Sequence, residues 1–172
     1  NKQLPSRRLL TITGTGGMGK TTLAIALAHQ LRTTYIGGLW FCDLSSAQTK
    51  DDILQIVSSN LEIPLTRSDG SSQIGKHLAK QSKTLIIMDN GEQIATTLAT
   101  LLDEWMKKAP SIHFVVTSRV HLGLAPEQVF LLEPLSSGAA LQLFSTCAQR
   151  LQSHFCITKE NEDTIKLILR HL

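Results

Sequence analysis

The chain has 172 residues, of which 42% are hydrophobic and 18% are charged. This composition is typical of a folded globular protein and excludes an intrinsically disordered one. The 17 lysines and arginines exceed the 14 aspartates and glutamates by only three, which is too small an excess to predict a nucleic-acid-binding surface.

Cysteines, histidines and apolar runs exclude further classes of protein. The three cysteines form no CxxC pair and the six histidines form no metal-binding motif, so neither a disulfide framework nor a zinc site is predicted. No apolar run approaches the roughly 20 residues that a membrane span needs, and no signal-peptide pattern is present. We therefore expect a cytoplasmic protein without a membrane partner.

Strand and helix patterns alternate along the chain. Apolar, β-branched runs predict five strands, at Leu9–Thr13, Leu39–Leu44, Thr84–Asp89, Ile112–Arg119 and Val129–Leu135. Breaker-free or amphipathic segments predict helices between them, at Lys20–Leu31, Lys50–Leu61, near Gln73–Gln81 and at Ile94–Trp105. This alternation predicts a three-layer α/β fold, in which helices cover both faces of a five-stranded parallel sheet and ligands bind at the carboxyl ends of the strands.

The remaining residues are predicted to be helical. One apolar stripe contains Leu141, Phe144, Ala148 and Leu151, and a second contains Ile165, Ile168, Leu169 and Leu172. The second stripe runs to the last residue without a helix-ending signal. We therefore expect residues 1–135 to form the α/β domain, and residues 136–172 to be the beginning of a truncated helical domain that continues in a longer protein.

The glycine-rich turn after the first predicted strand carries the strongest motif. Gly14–Thr21 reads GTGGMGKT and matches the phosphate-binding pattern G-x-x-x-x-G-K-[ST]. Glycines leave backbone N–H groups accessible, and the start of the following helix adds partial positive charge. Lys20 is placed to reach the β- and γ-phosphates, Thr21 to ligate Mg²⁺, and Thr22 to make a weaker phosphate contact. The motif predicts a nucleoside-triphosphate site and disfavours a Rossmann site, which has neither the lysine nor the threonine.

Polar residues at the ends of two later strands extend the predicted site. Asp89 follows four apolar residues and is the candidate second Mg²⁺ residue, although Asp-Asn-Gly is also a turn signal. Glu92 is placed to orient an attacking water, or else is a solvated residue at the start of a helix. Arg119 is a candidate γ-phosphate sensor or an ordinary surface residue, with Thr117 and Ser118 as lesser polar sensors.

The motifs taken in order resemble one family. LLTITGTGGMGKTTLA, TLIIMDNGE, FVVTSRV and LLEPL look like the signal-transduction ATPases with numerous domains (STAND), the clade that contains NB-ARC proteins. Plant resistance proteins, apoptotic-protease activators and many bacterial transcriptional regulators belong to it. The resemblance covers about Arg8 to Leu151, and Asn90 in place of a second acid is most similar to the bacterial-regulator branch.

The resemblance implies a sheet order of 5-1-4-3-2 and a nucleotide-dependent switch. In such proteins ADP locks a closed form, whereas ATP opens it and permits the full-length protein to oligomerise, with sensor and effector domains on either side. The implied ligands are ATP or ADP with Mg²⁺, and this chain itself is not expected to contact nucleic acid. Taken with the motifs, the predicted catalytic residues are Lys20, Asp89, Glu92 and Arg119, with Thr21 and Asp89 at the Mg²⁺; of these, Glu92 is predicted from its position alone. The implied nucleotide-binding residues are Gly14, Thr15, Gly16, Gly17, Met18, Gly19, Lys20, Thr21, Thr22 and, beside the adenine, Pro134.

Two other functions remain open at this point. A small-molecule kinase would need an acceptor pocket and an arginine-bearing lid, for which the loop Glu62–Ser72 with Arg67 is the only candidate. A nucleotide-binding scaffold without hydrolysis is compatible with Asn90. The family's adenine-contacting segment is not seen in NKQLPSRR, and its glycine-leucine-proline motif is absent. We therefore expect this fragment to bind nucleotide weakly, through the phosphates, and to turn over slowly or not at all. No guanine-reading N-K-x-D motif appears, which favours adenine by default.

Overall fold

The computed structural model describes residues 8–66 and 69–170. The strands are β1 (Leu9–Thr13), β2 (Leu39–Asp43), β3 (Thr84–Asp89), β4 (Ile112–Ser118) and β5 (Glu127–Leu131). The helices are α1 (Lys20–Leu31), α2 (Lys50–Asn60), α3 (Gly70–Leu78), α4 (Ala95–Lys108), α5 (Ser137–Leu151) and α6 (Glu162–Arg170). A short 3₁₀ helix, Gly91–Ile94, precedes α4. The NKQLPSR segment, Arg67 and Leu172 lie outside the described residues.

The five strands form one parallel sheet in the order β2-β3-β4-β1-β5. This confirms the predicted fold class, including the strand order implied by the family resemblance. Because β4 lies between β1 and β3, the glycine-rich turn, Asp89 and Arg119 all follow neighbouring strands. Their carboxyl ends meet at the same edge of the sheet, where open α/β sheets bind ligands.

Two element boundaries differ from the prediction. The fifth strand was expected at Val129–Leu135, whereas β5 begins at Glu127 and ends at Leu131. Pro134 has no backbone N–H and so cannot extend a strand ladder in the way the apolar pattern suggested. The third helix begins before the expected Gln73, because the Asp69 carboxylate accepts a hydrogen bond from the backbone N–H of Ser72 and caps the helix.

Hydrophobic clusters cover both faces of the sheet. On one face, α1 packs through Ala24, Ala28 and Leu31 against strand residues that include Ile12 and Val115. On the other face, residues of α2, α3 and α4 form a larger cluster with alternate residues of the same strands. Each central strand therefore has apolar side chains on both sides, which explains its continuous apolar sequence.

Trp105 is the largest side chain of the core and supports a stability prediction. It is fully buried on α4, lies 6.5 Å from the Phe114 ring, and donates its Nε1–H to the backbone oxygen of Ser71 at 3.1 Å. Trp105→Ala is expected to lower the free energy of unfolding by about 3–5 kcal/mol, because it leaves a cavity and removes the hydrogen bond to the Ser71 carbonyl. Urea denaturation measures this change. Trp105→Phe, which keeps most of the packing, should cost clearly less; equal effects of the two substitutions would contradict this account of the core.

The chain divides after Leu132 into two compact units. In the second unit α5 and α6 pack on each other, Phe144 contacts Phe155 edge-to-face at 5.8 Å, and Ile165 is buried. Leu151 and Ile168, although members of the predicted stripes, are exposed. The extents of the two functional domains, residues 1–135 and 136–172, stay a prediction. In the described ranges no helix combines the length and the apolar character that a membrane crossing requires.

Candidate nucleotide-binding site

The glycine-rich turn between β1 and α1 has the backbone conformation that its sequence predicts. Gly17 and Gly19 have φ values of 78° and 87°, in the left-handed region that L side chains rarely adopt. A Cβ atom built at either position would meet nothing within 4 Å. Conformation, and not lack of space, is therefore what requires glycine there. Gly19 directly precedes α1, whose N-terminal N–H groups favour an anion.

Lys20 folds back over this turn. Its Nζ donates hydrogen bonds to the backbone oxygens of Gly14, at 3.0 Å, and Thr15, at 2.8 Å. An ammonium group has three donors, so one of them is left for a ligand. No carboxylate pairs with Lys20 among the residues that the structure describes. The turn therefore holds a positive charge that is positioned by carbonyl groups and not neutralised by an acid.

Asp89 connects the glycine-rich turn to the end of β3. The Thr21 hydroxyl donates to the Asp89 carboxylate, with oxygen distances of 2.8 and 3.0 Å, and the Thr117 hydroxyl donates to Oδ1 of the same group. The side-chain nitrogen of Asn90 donates to Oδ2 at 3.1 Å. Asp89 is only 3% exposed, and these donors compensate for the loss of water around a buried charge. Adjacent hydroxyl and carboxylate oxygens are hard ligands of the kind that Mg²⁺ prefers, so the pair fits that ion.

The hydroxyls of Thr117 and Ser118 make hydrogen bonds within the site. Thr117 is buried, and besides binding Asp89 it accepts the backbone N–H of Asn90 at 3.0 Å. Ser118 is also buried and accepts the N–H of Val120 at 3.1 Å. In this structure the two hydroxyls hold the site's own backbone and carboxylate.

Glu92 and Arg119 form an ion pair next to the glycine-rich turn. Arg119 Nε lies 3.3 Å from Glu92 Oε1, and a Cβ built at Gly16 would lie 3.5 Å from Arg119 Nη2. The Arg119 side chain is 66% exposed, whereas the second carboxylate oxygen of Glu92 is buried without a hydrogen-bond partner among the described residues. The two candidate catalytic side chains therefore lie together, and they face each other in this state.

Sequence reasoning missed Asp43, which belongs to the same polar group. Asp43 ends β2 and is the Cα partner of Asp89 in the strand register. The backbone N–H of Ser45 holds the pKa of Asp43 below its ordinary value, and a hydrogen bond from the Asn90 side chain lowers it further. The signal was present in the sequence, because LWFCDL places an acid at a strand end, where the edges of a parallel sheet coincide.

Sequence reasoning also missed Glu127, a buried carboxylate at the start of β5. It accepts the backbone N–H groups of Leu122, Gly123 and Leu124, at 2.8, 2.7 and 3.3 Å. Three successive N–H groups around one anion hold the turn that follows Arg119 in a single conformation. No motif marks this residue, since the contact depends on the path of the loop.

Two further predicted residues are not brought into these contacts. Thr22 is exposed on α1. Pro134 is exposed in the second unit, three residues after the end of β5. Its role beside adenine stays a prediction.

Solved structures of low sequence identity share this fold. Cdc6p from Pyrobaculum aerophilum superposes with a TM-score of 0.66 at 16% identity, over 94% of this chain and 47% of that one. A STAND protein with a tetratricopeptide repeat sensor from Pyrococcus horikoshii superposes with a TM-score of 0.56 at 15% identity, over 95% of this chain and 25% of that one.

Curated relatives are longer than this chain. An uncharacterized protein of Mycobacterium tuberculosis is 28% identical over 170 residues, which are 98% of this chain and 43% of that protein. A proposed HTH-type transcriptional regulator of the same organism is 30% identical over 172 residues, 98% of this chain and 19% of the regulator. Regulatory protein AfsR of Streptomyces griseus is 29% identical over 143 residues, 78% of this chain and 14% of AfsR. The chain thus spans less than half the length of these relatives.

A family model also matches the chain directly. The model described as an AAA domain matches residues 4–124, which include β1 to β4, the glycine-rich turn, Asp89 and Arg119. Nucleotide binding, typically with Mg²⁺, follows from membership of such a family. Because the match covers well over half of its residues, the chain belongs to the AAA-domain family of P-loop ATPases.

Proposed function

We propose that this chain is the ATP/ADP-binding switch domain of a multidomain signalling or transcriptional regulator, with slow, Mg²⁺-dependent ATP hydrolysis. The observation that carries the proposal is the contact between Thr21 and Asp89 at 2.8 Å. It joins the hydroxyl that follows the phosphate-binding lysine to the strand-end carboxylate. In P-loop ATPases groups of these two kinds hold Mg²⁺, so Thr21 and Asp89 would hold the ion here, and it would supply positive charge that neutralises the phosphates.

The relatives support the regulator part of the proposal. Two of them are named as regulators, and both extend far beyond the region that this chain matches. The finer assignment, to the bacterial-regulator branch of the STAND clade with its NB-ARC-like motifs, rests on the ordered motifs. A STAND protein among the structural neighbours is compatible with it. Sensor and effector domains, assembly in the ATP state and a cytoplasmic location belong to the same proposal.

The pairing of Arg119 supports the switch part. A ligand shifts a conformational equilibrium only as far as its affinities for the two states differ, so ATP and ADP must be distinguished by the γ-phosphate. Arg119 lies next to Gly16 and is paired with Glu92. An ion pair with such an exposed arginine contributes only about 0–1 kcal/mol, so an anion beside Gly16 can take the guanidinium from Glu92. In this proposal the release of Glu92 accompanies γ-phosphate binding.

The same contact leaves a non-hydrolysing scaffold as the second candidate, because Glu92 is occupied by Arg119 and Asn90 replaces a second acid. Phosphate release from ATP by the 172-residue chain separates the two. If Glu92 orients the attacking water, Glu92→Gln should reduce the rate by at least about 100-fold, the usual contribution of a general base.

The matched control is Glu160→Gln, which neutralises an exposed carboxylate of the second unit and should leave the rate unchanged. Unaltered release by Glu92→Gln would remove Glu92 from catalysis. Phosphate release by the unsubstituted chain above the rate of ATP alone would exclude the non-hydrolysing scaffold. The kinase alternative receives no support from the described residues, and Arg67, on which it depended, lies outside them.

A further inference from the structure

Asp43 and Asp89 lie side by side at the ligand-binding edge of the sheet. They are Cα partners at the ends of β2 and β3. Neighbouring strands are about 4.8 Å apart, and residues in register point to the same face, so two carboxylates are neighbours here. Like charges at this distance oppose each other unless a donor lies between them.

Asn90 supplies that donor. Its side-chain nitrogen donates to Asp43 Oδ1 at 3.1 Å and to Asp89 Oδ2 at 3.1 Å. An amide nitrogen carries two hydrogens, so each carboxylate receives one. An aspartate at position 90 would offer no donor and would add a third negative charge. Asn90 also has a φ of 62°, a left-handed conformation that asparagine tolerates better than most residues. The presence of an amide where related motifs carry a second acid is thus explained by Asp43.

Both ends of this bridge are anchored. Asp43 Oδ1 also accepts the backbone N–H of Ser45 at 2.9 Å, which fixes the carboxylate to the turn after β2. The backbone N–H of Asn90 donates to Thr117 Oγ1 at 3.0 Å, which fixes its main chain to β4. With its backbone held and its amide drawn toward Asp43, the Asn90 side chain presents its second hydrogen to Asp89.

We propose that Asp43 is a positioning residue, which holds the carboxylate of Asp89 in its Mg²⁺-binding orientation through the side-chain amide of Asn90. The proposal rests on the proposed Mg²⁺–nucleotide function and adds a residue of the edge strand to that site. Asp43 makes no hydrogen bond with Thr21 or Lys20 in the part of the chain that the structure describes, so its influence passes through Asn90. Loss of a residue that is hydrogen-bonded to a metal ligand changes metal affinity by about 10–100-fold. Asp43 is separated from Asp89 by the Asn90 amide, so we expect its loss to have an effect at the lower end of this range.

The test measures ADP binding by the 172-residue chain, once with Mg²⁺ and once in EDTA. We define the Mg²⁺ ratio as the dissociation constant in EDTA divided by the dissociation constant with Mg²⁺. This ratio isolates the Mg²⁺ contribution from the rest of the site. Asp43→Ala is expected to reduce this ratio about tenfold and to leave binding in EDTA within about twofold of the unsubstituted chain. The matched control is Asp51→Ala, which removes an exposed carboxylate from the first turn of α2 and should leave the ratio unchanged.

Two conservative variants separate positioning from a purely structural role. Asp43→Asn keeps the oxygen that accepts from Ser45 and Asn90, so its ratio should stay within about threefold of the unsubstituted chain. Asp43→Ser keeps an acceptor for the turn at Ser45, but its side chain is too short to reach Asn90. The Mg²⁺ ratio of Asp43→Ser should therefore fall as far as that of Asp43→Ala. Asp43→Ser therefore tests the proposal even if Asp43→Ala fails to fold.

A double-mutant cycle tests the route. If Asp43 acts through Asn90, the double variant Asp43→Ser with Asn90→Ala should have the same Mg²⁺ ratio as Asn90→Ala alone. If the double variant instead lowers the Mg²⁺ ratio by the product of the two single effects, Asp43 and Asn90 act independently and the proposal is overturned. An Asp43→Ser variant whose thermal midpoint falls while its Mg²⁺ ratio matches that of Asp51→Ala would also overturn it. Absence of any Mg²⁺ enhancement in the unsubstituted chain would instead contradict the proposed function, a result that involves no variant of Asp43.

Discussion

Replacement of Lys20 by alanine is expected to weaken the binding of ADP–Mg²⁺ by about 100-fold, which corresponds to about 2.7 kcal/mol. Charge-assisted hydrogen bonds contribute about 1.5–3 kcal/mol each. In this structure the Lys20 ammonium is held against the carbonyls of Gly14 and Thr15 and is not neutralised by any carboxylate of the described residues. The substitution therefore removes a charge that is already in position, so the whole contribution should appear as lost affinity.

Calorimetry or a fluorescent nucleotide measures this loss. Since the family's adenine contacts are not recognisable in the sequence, we expect the unsubstituted chain to bind ADP–Mg²⁺ weakly, and sub-micromolar affinity would contradict that expectation. Lys80→Ala is the matched control, because Lys80 is an exposed lysine that follows α3. A Lys20→Ala variant that binds as tightly as Lys80→Ala would show that the nucleotide occupies another place. Lys20→Ala tests the existence of the site and not its role, since a switch, a scaffold and a kinase all need this lysine.

The fold could be predicted from the sequence because its strong signals are local. Buried parallel strands have apolar residues on both faces, so runs such as TLIIMD stand out without any knowledge of their neighbours. The exact extent of β5 could not be predicted in this way. Its side chains from Val129 to Leu131 are largely exposed, and its start is set by the long-range pairing of Glu127 with Leu9. Apolar character extended the predicted strand past Pro134, where no ladder bond is possible.

The residues of the candidate site also differ in whether local sequence is enough to predict them. The glycine-rich turn is one continuous motif, so its residues were predicted together. Asp89 was found because it ends a buried strand after such a motif. Asp43 was missed because it acts through Asn90, which is 47 residues away in the sequence. Glu127 was missed for another reason: its partners are only three to five residues away, but the contact depends on the path of the loop after Arg119, which no motif marks. Thr117 was predicted as a lesser polar sensor, and its burial against Asp89 could not be predicted because it depends on the central position of β4 in the sheet.

The position of Asp89 also leads to the second large prediction. Asp89→Asn is expected to remove the Mg²⁺ enhancement of nucleotide binding and to reduce any ATP hydrolysis by at least about 100-fold. The substitution is nearly isosteric, but it removes the charge from the oxygens that Thr21 and Thr117 contact. It also places a second amide against the side chain of Asn90, where two donors then face each other. Binding in EDTA should change little, because Lys20 and the glycine-rich turn are untouched.

The matched control for Asp89→Asn is Asp103→Asn. Asp103 lies on α4 and forms an exposed ion pair with Lys107, so its neutralisation removes the same charge without touching the site. Thermal unfolding of both variants shows whether the fold is retained. If Asp89→Asn is folded and keeps the Mg²⁺ enhancement, Asp89 does not bind the ion, and the contact with Thr21 is a structural cap between α1 and β3. If the enhancement is lost while Asp103→Asn behaves like the unsubstituted chain, the buried carboxylate is the Mg²⁺ residue. The smaller, tenfold effect expected of Asp43→Ala is then explained by a changed orientation of the Asp89 carboxylate.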